Sequence, residues 1–99
     1  MKRFWFAELE FSWDERKAAL NLRRHRISFE EAVTVFVDPV ARLYDDPDHS
    51  EDEARFLLVG HSLRGRLLLV VHAEKDDTIR IISARKVSNL ESERYESNA

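Results

Sequence analysis

The sequence predicts an α+β domain: two N-terminal helices packed on one face of an antiparallel β-meander, with a short C-terminal helix. Three observations point there. Phe29, Ala32, Val33, Phe36 and Val37 recur at i, i+3, i+4, i+7 and i+8, the stripe of a helix packed on one side. Three apolar runs, residues 55–61, 66–74 and 79–86, are separated only by the short turns Ser62-Leu63-Arg64-Gly65 and Lys75-Asp76-Asp77-Thr78. A chain of 99 residues, 43% apolar and 35% charged, suits a single folded domain.

The first helix is expected over residues 13–24. Ser12 and Glu15 fit a capping box, with Asp14 an equal candidate for the cap, and the segment that follows is rich in helix formers with cations in its last turn. The second helix is expected over 29–37, opened by a capping box at Ser28 and Glu31 and stopped by Pro39. Val33, Val35 and Val37 favour a strand, but periodicity and cap outweigh that propensity. Residues 45–53 form an acidic loop; Asp46, Asp48 and Ser50 have a calcium-loop spacing, but Glu51 stands where the sharp turn needs Gly. The run Leu67-Leu68-Leu69-Val70-Val71 is apolar on both alternations, so that strand is covered on both faces. Weaker strand signals lie at 41–44 and 4–11. Ser88 and Glu91 offer a capping box for the last helix. The expected order is helix, helix, four strands, helix.

Composition narrows the function classes. No apolar run reaches the roughly 18–20 residues of a membrane span, and the N-terminal apolar stretch is too short for a secretory segment. The chain has no cysteine, hence neither disulfides nor thiolate metal sites, which fits a reducing cytoplasm. No His pair has metal-ligand spacing, and two glycines cannot build a phosphate-cradling loop. Twelve of the 16 cations are Arg, the side chain suited to bidentate contact with phosphate. Arg55, Arg64, Arg66, Arg80, Arg85 and Lys86 lie on or beside the meander strands, where the bland reading is solvated or salt-bridged charge and the functional one a shared groove. Which of them share a face depends on strand register. His61 and His72, near strand ends with Arg nearby, are the acid–base candidates.

The ordered set Trp13-Asp14-Glu15, Asn21-Leu22-Arg23-Arg24-His25, Ser28-Phe29-Glu30-Glu31-Ala32, Asp38-Pro39, Arg55-Phe56-Leu57-Leu58-Val59-Gly60, Gly65-Arg66, Ile79 to Lys86 and Tyr95-Glu96 resembles the BrnT toxins of bacterial type II toxin–antitoxin systems. The resemblance implies a RelE-like fold and a metal-independent endoribonuclease that uses the ribose 2′-hydroxyl as nucleophile, needs no cofactor and inhibits translation in the cytoplasm. It also implies a cognate BrnA-type antitoxin, through which alone the toxin meets operator DNA. On this reading Arg55, Arg80, Arg85 and Lys86 bind phosphate and stabilise transition-state charge. Glu53 or His61 transfers the proton, Arg64 and Arg66 add RNA contacts, and Tyr95 stacks on a base or orients it. Two features depart from the family pattern. Arg26 stands where the family has Gly after the His of the first turn, and Asn89, Leu90, Ser92 and Glu93 replace cations of the last helix. The second departure motivates an alternative: a catalytically silent relative that docks an antitoxin and tunes repression.

The net charge of −3 argues at first sight against a nucleic-acid partner. Its distribution argues otherwise. Residues 37–53 carry net −6, while residues 1–36 carry +1 and 54–99 carry +2. The acidity belongs mostly to one loop, leaving a basic sheet beside an acidic rim.

Overall fold

The structure, a computed structural model, describes residues 1–47 and 53–97. It begins with a two-stranded hairpin, ahead of the helix that opens the expected order. The strand signal at 4–11 resolves into β1 (Lys2–Phe6) and β2 (Leu9–Trp13), joined by a two-residue turn in which Ala7 and Glu8 both take positive φ. The reason lies in the alternation: Phe4 and Phe6 face the core while Arg3 and Trp5 face away. Ser12 therefore belongs to a strand, and helix α1 (Glu15–His25) is capped by Asp14, which accepts from the backbone N–H groups of Arg16 and Lys17. Helix α2 (Phe29–Thr34) is capped by Ser28 and tightens into one 3₁₀ turn (Val35–Val37) before Pro39. Strands β3 (Arg42–Asp45), β4 (Ala54–His61), β5 (Leu67–Lys75) and β6 (Thr78–Lys86) follow, then helix α3 (Asn89–Ser97). The calcium-loop spacing and the run 48–52 lie outside the described residues. No described helix is long and apolar enough to cross a membrane.

The sheet corrects the expected antiparallel meander. It has six strands in the order β1-β2-β6-β5-β4-β3, and β2 pairs with β6 in parallel, so it is mixed. The parallel pair forms because α1 and α2, together with the meander, make the long return that such a pairing requires. One face packs under α1 and α2: Phe11, Trp13, Leu58, Leu68, Val70, Ile81 and Ala84 meet Ile27, Phe29, Ala32, Val33 and Val35 there. Edge-on aromatic contacts, Trp13 with Phe29 at 5.9 Å and Phe11 with Phe36 at 5.0 Å, lock the hairpin to α2 and the 3₁₀ turn. At Gly60 a Cβ would lie 2.8 Å from Ala41 Cβ and 2.9 Å from Asp38 Oδ2, so β4 can pass beneath the 38–41 turn only without a side chain.

Two polar residues in this core matter. Asn21 is the buried residue of α1, and its carboxamide donates to the Ile27 and Ala84 carbonyls and accepts from Ala84 N–H. His72 is stacked on Phe56 and edge-on to Phe36, with Nε2 3.3 Å from Glu74 and Nδ1 buried without a partner. Burial pushes the His72 imidazolium pKa down from 6.5, and Glu74 only partly opposes this.

Two outcomes are expected from these features. Arg26 closes α1 in the left-handed region (φ 61) with its N–H on Leu22 O. Replacing Arg26→Gly removes that strain and is expected to raise stability by roughly 0.5–1 kcal/mol in urea unfolding; a loss would show that the Arg side chain itself stabilises the turn. For His72 the folded state binds its proton less readily than the unfolded chain does. Its stabilising share is therefore complete above pH 6.5 and declines as pH falls below that value. His72→Phe is expected to flatten this decline, and equal acid sensitivity in both proteins would remove His72 as its source.

Candidate nucleic-acid interface

Register defines the face of the sheet opposite α1 and α2. Residues paired across strands share a face, so Arg3, Ser12, Arg80, Ala73 and Arg55 form one row across five strands. Further along, Ser83, Val71, Leu57 and Tyr44 form another, and Arg85, Leu69, Val59 and Arg42 a third. Arg80 and Arg85 are five positions apart, and strict alternation would place them on opposite faces. The register instead shifts at Val71/His72, where Ser83 pairs with Val71 but Ile81 with His72, leaving Ile82 as a bulge. That one extra residue returns Arg85 to the face that holds Arg80.

Arg80, Arg55 and Arg85 on this face are each held by a carboxylate. Arg80 NH2 is hydrogen-bonded to Glu53 Oε1. Arg55 Nε lies 3.6 Å from Asp46 Oδ2, and Asp46 N–H donates to Arg55 O, so loop and strand are joined twice. Arg85 makes a bidentate pair with Glu91 at 2.9 and 2.8 Å. The Arg85 guanidinium, then the N–H of Ser88, hold the Glu91 carboxyl down at about 2, and Glu91 in turn pushes the Arg85 pKa up. Ser88 Oγ accepts from Glu91 N–H, completing the expected capping box.

Helix α3 thereby lies over one end of the open face and encloses a pocket of about 220 Å³ lined by Tyr44, Leu57, Val59, Leu69 and Tyr95. Tyr95 is 7% exposed; its hydroxyl donates to Val40 O, its ring lies edge-on to His61 at 6.3 Å, and burial pushes its pKa up. His61 is exposed, with Nδ1 3.7 Å from Asp38 Oδ2. Burial pushes the Asp38 carboxyl up, but the N–H groups of His61 and Val40 and the His61 ring outweigh it and hold the carboxyl low.

The sequence-derived candidates thus fall into separate places. Glu53, Arg55 and Arg80 gather at one end of the open face. His61, Arg85 and Tyr95 gather at the other, with His61 about 20 Å from Arg55 along β4. Arg66 is elsewhere: its guanidinium grips Glu31 on α2 (Nε to Oε2 2.8 Å) and donates to Arg26 O. Arg64, 3.6 Å from Glu31, is exposed. Glu31 also accepts from Ser62 Oγ, and the Arg66 guanidinium, with help from Ser62, holds its carboxyl low. This network ties α2 to the β4–β5 turn. Lys86 is paired with core-facing Leu68, on the side away from Arg85. The partners Asp46, Glu91 and Asp38 escaped sequence reasoning; for Glu91 the S-x-x-E spacing was visible but spoke only of a cap. Among the described residues no three His, Asp or Glu side chains gather as a metal ion requires.

The family model of the ribonuclease toxin BrnT of type II toxin–antitoxin systems matches residues 13–91. Among solved structures, the crystal structure of the Brucella abortus ribonuclease toxin BrnT is similar, with a TM-score of 0.62 at 20% identity, covering 80% of this chain and 96% of that one. No curated protein gives a significant match. Strand β1 and most of β2 precede the matched span.

The Arg85–Glu91 pair sets how α3 is held. Because the Glu91 pKa falls from 4.5 to about 2 on folding, its contribution is complete above about pH 4.5, declines below it, and is lost as pH falls through about 2. At neutral pH, Glu91→Gln is expected to speed amide exchange in α3 while the sheet stays protected. Unchanged exchange in α3 would mean that Tyr95 and the apolar contacts alone hold it.

Proposed function

Because the chain belongs to the BrnT family of ribonuclease toxins of type II toxin–antitoxin systems, we propose that it is an endoribonuclease toxin that cuts RNA on the open sheet face and inhibits translation until an antitoxin covers it. The observation that carries this reading is that Arg55 and Arg80 share one row of that face, with Glu53 hydrogen-bonded to Arg80 beside it.

That set supports attack by the ribose 2′-hydroxyl without a metal or cofactor. Arg80 and Arg55 hold the scissile phosphate and offset the charge that builds on its oxygens as the 2′-oxygen approaches. Glu53, displaced from Arg80 by the phosphate, takes the 2′-hydroxyl proton. The new P–O2′ bond forms as the P–O5′ bond breaks, leaving a cyclic phosphate and a 5′-hydroxyl that takes its proton from water. Glu53 suits the base better than His61, which stands some 20 Å away. Arg85, under α3, serves the RNA backbone beyond the cut, and Tyr95 orients α3 and His61. Arg66 and Arg64 serve the fold near α2 before they serve RNA. The neutralising partner is a BrnA-type antitoxin, which carries any operator contact, and the fold is read as RelE-like and the setting as cytoplasmic.

A second reading has its own observation. Each strand-borne arginine of the site already has a carboxylate, Glu53, Asp46 or Glu91, and α3 presents Asn89, Leu90, Ser92 and Glu93 where the family is basic. On that reading the chain binds its antitoxin and tunes repression without cutting RNA.

RNA cleavage by the purified chain separates the two. Arg80→Ala is expected to lower the cleavage rate about 10²–10³-fold with circular dichroism unchanged, and Arg85→Ala to weaken RNA binding. Equal cleavage by wild type and a variant carrying both Arg80→Ala and Arg85→Ala would remove this site. Intact RNA in the presence of tight antitoxin binding would favour the silent module.

A further inference from the structure

The N-terminal hairpin places its side chains on the same face as the proposed site. Arg3 pairs with Ser12, and Ser12 with Arg80, so Arg3, Arg80 and Arg55 stand in one line, each about 10 Å from the next. Two positions on from Arg3, Trp5 points the same way and is 67% exposed, a large aromatic surface left open on a small domain. It borders an open cleft of about 860 Å³ together with Leu9, Glu10 and Thr78. Phe4 and Phe6, on the other side of the strand, are spent in the core, so the fold does not require Trp at position 5. The hairpin lies almost wholly before the residues that match the family.

We propose that this hairpin is an added RNA subsite: Arg3 continues the line of phosphate contacts from Arg55 and Arg80, and Trp5 stacks a nucleobase of the single-stranded substrate. The inference rests on the ribonuclease reading above and names where the substrate extends. Charge favours RNA on the Arg3 side. Arg3 is ion-paired to Glu10 but stays largely exposed, and a phosphate exchanges for that carboxylate as it does for Glu53 at Arg80. Glu8, Asp76 and Asp77, in the two turns at the far end of the cleft, repel a backbone that runs past it. Trp5 therefore receives the last base of the bound segment. A base offers its π-face whatever its identity, so this subsite adds affinity and length preference and no sequence preference.

Trp5 reports on itself, because the other tryptophan, Trp13, is 2% exposed and shielded from quenchers. The probe is a short single-stranded oligouridylate carrying 2′-O-methyl groups, which cannot be cut by 2′-hydroxyl attack. It is expected to quench the emission of the wild-type chain and to protect it from acrylamide. Trp5→Ala is expected to weaken oligonucleotide affinity about 5- to 100-fold, and Trp5→Phe to retain most of it. In cleavage assays Trp5→Ala is expected to raise KM for long RNA and to leave kcat unchanged. Cleavage by wild type with the same KM in Trp5→Ala overturns this inference and leaves the ribonuclease reading standing. A wild-type chain that neither binds nor cuts RNA overturns both. An emission that answers to an antitoxin protein and not to the oligonucleotide makes the hairpin a protein-docking face and overturns the proposal.

Discussion

The bulge at Ile82 is the constraint on which the working face depends. Without the extra residue, Arg80 and Arg85 would point to opposite sides of β6 and one of them would enter the core. The bulge needs support, because β2 accompanies β6 only as far as Arg80. Beyond that point Asn21 takes the place of a strand, its carboxamide meeting both the N–H and the C=O of Ala84. The same side chain closes the α1–α2 turn through Ile27 O. Helix α1 buries little else, with Leu20 and Leu22 both exposed, so a polar clamp and not an apolar stripe seats it. Each of these three backbone groups would cost about 1–3 kcal/mol if left buried without a partner.

The face so assembled is a set of tethered guanidiniums and not a bare basic patch. Glu53, Asp46 and Glu91 each neutralise an arginine until something displaces them. This reconciles a net charge of −3 with the proposed RNA substrate: the carboxylates lower the chain's general attraction for polyanions and leave rigid, oriented donors for a phosphate that can compete. It also makes α3 part of the electrostatics, since Glu91 both caps that helix and holds Arg85.

The helices, the three long strands and the α+β class were legible because each rests on local chemistry: the Ser28 and Ser88 caps, the stop at Pro39, the turn at Asp76-Asp77. What escaped was non-local. The parallel β2–β6 pair joins residues 10–12 to 78–80, and no local pattern announces it. The signal at 4–11 was visible but gave no hint of a turn, since Ala7 and Glu8 take positive φ without Gly. Among candidate site residues, Arg55, Arg80, Arg85 and Glu53 were named by type and position, and the structure sets the three arginines on the open face with Glu53 bonded to Arg80. Arg66 has the same type but is taken up by buried Glu31, a partner that only the packing of α2 against the β4–β5 turn supplies. Which cations share a face stayed open in the sequence for a plain reason: alternation cannot foresee the bulge at Ile82.

Whether one face of the sheet meets RNA is decided by chemical-shift mapping of the isotope-labelled chain with an uncleavable single-stranded oligonucleotide. Shifts are expected along the rows that hold Arg80, Arg55, Ser83 and Leu69, with Lys17, Leu22 and Glu30 on the helical side unmoved. Shifts concentrated on α1 and α2, or none at all, would contradict it.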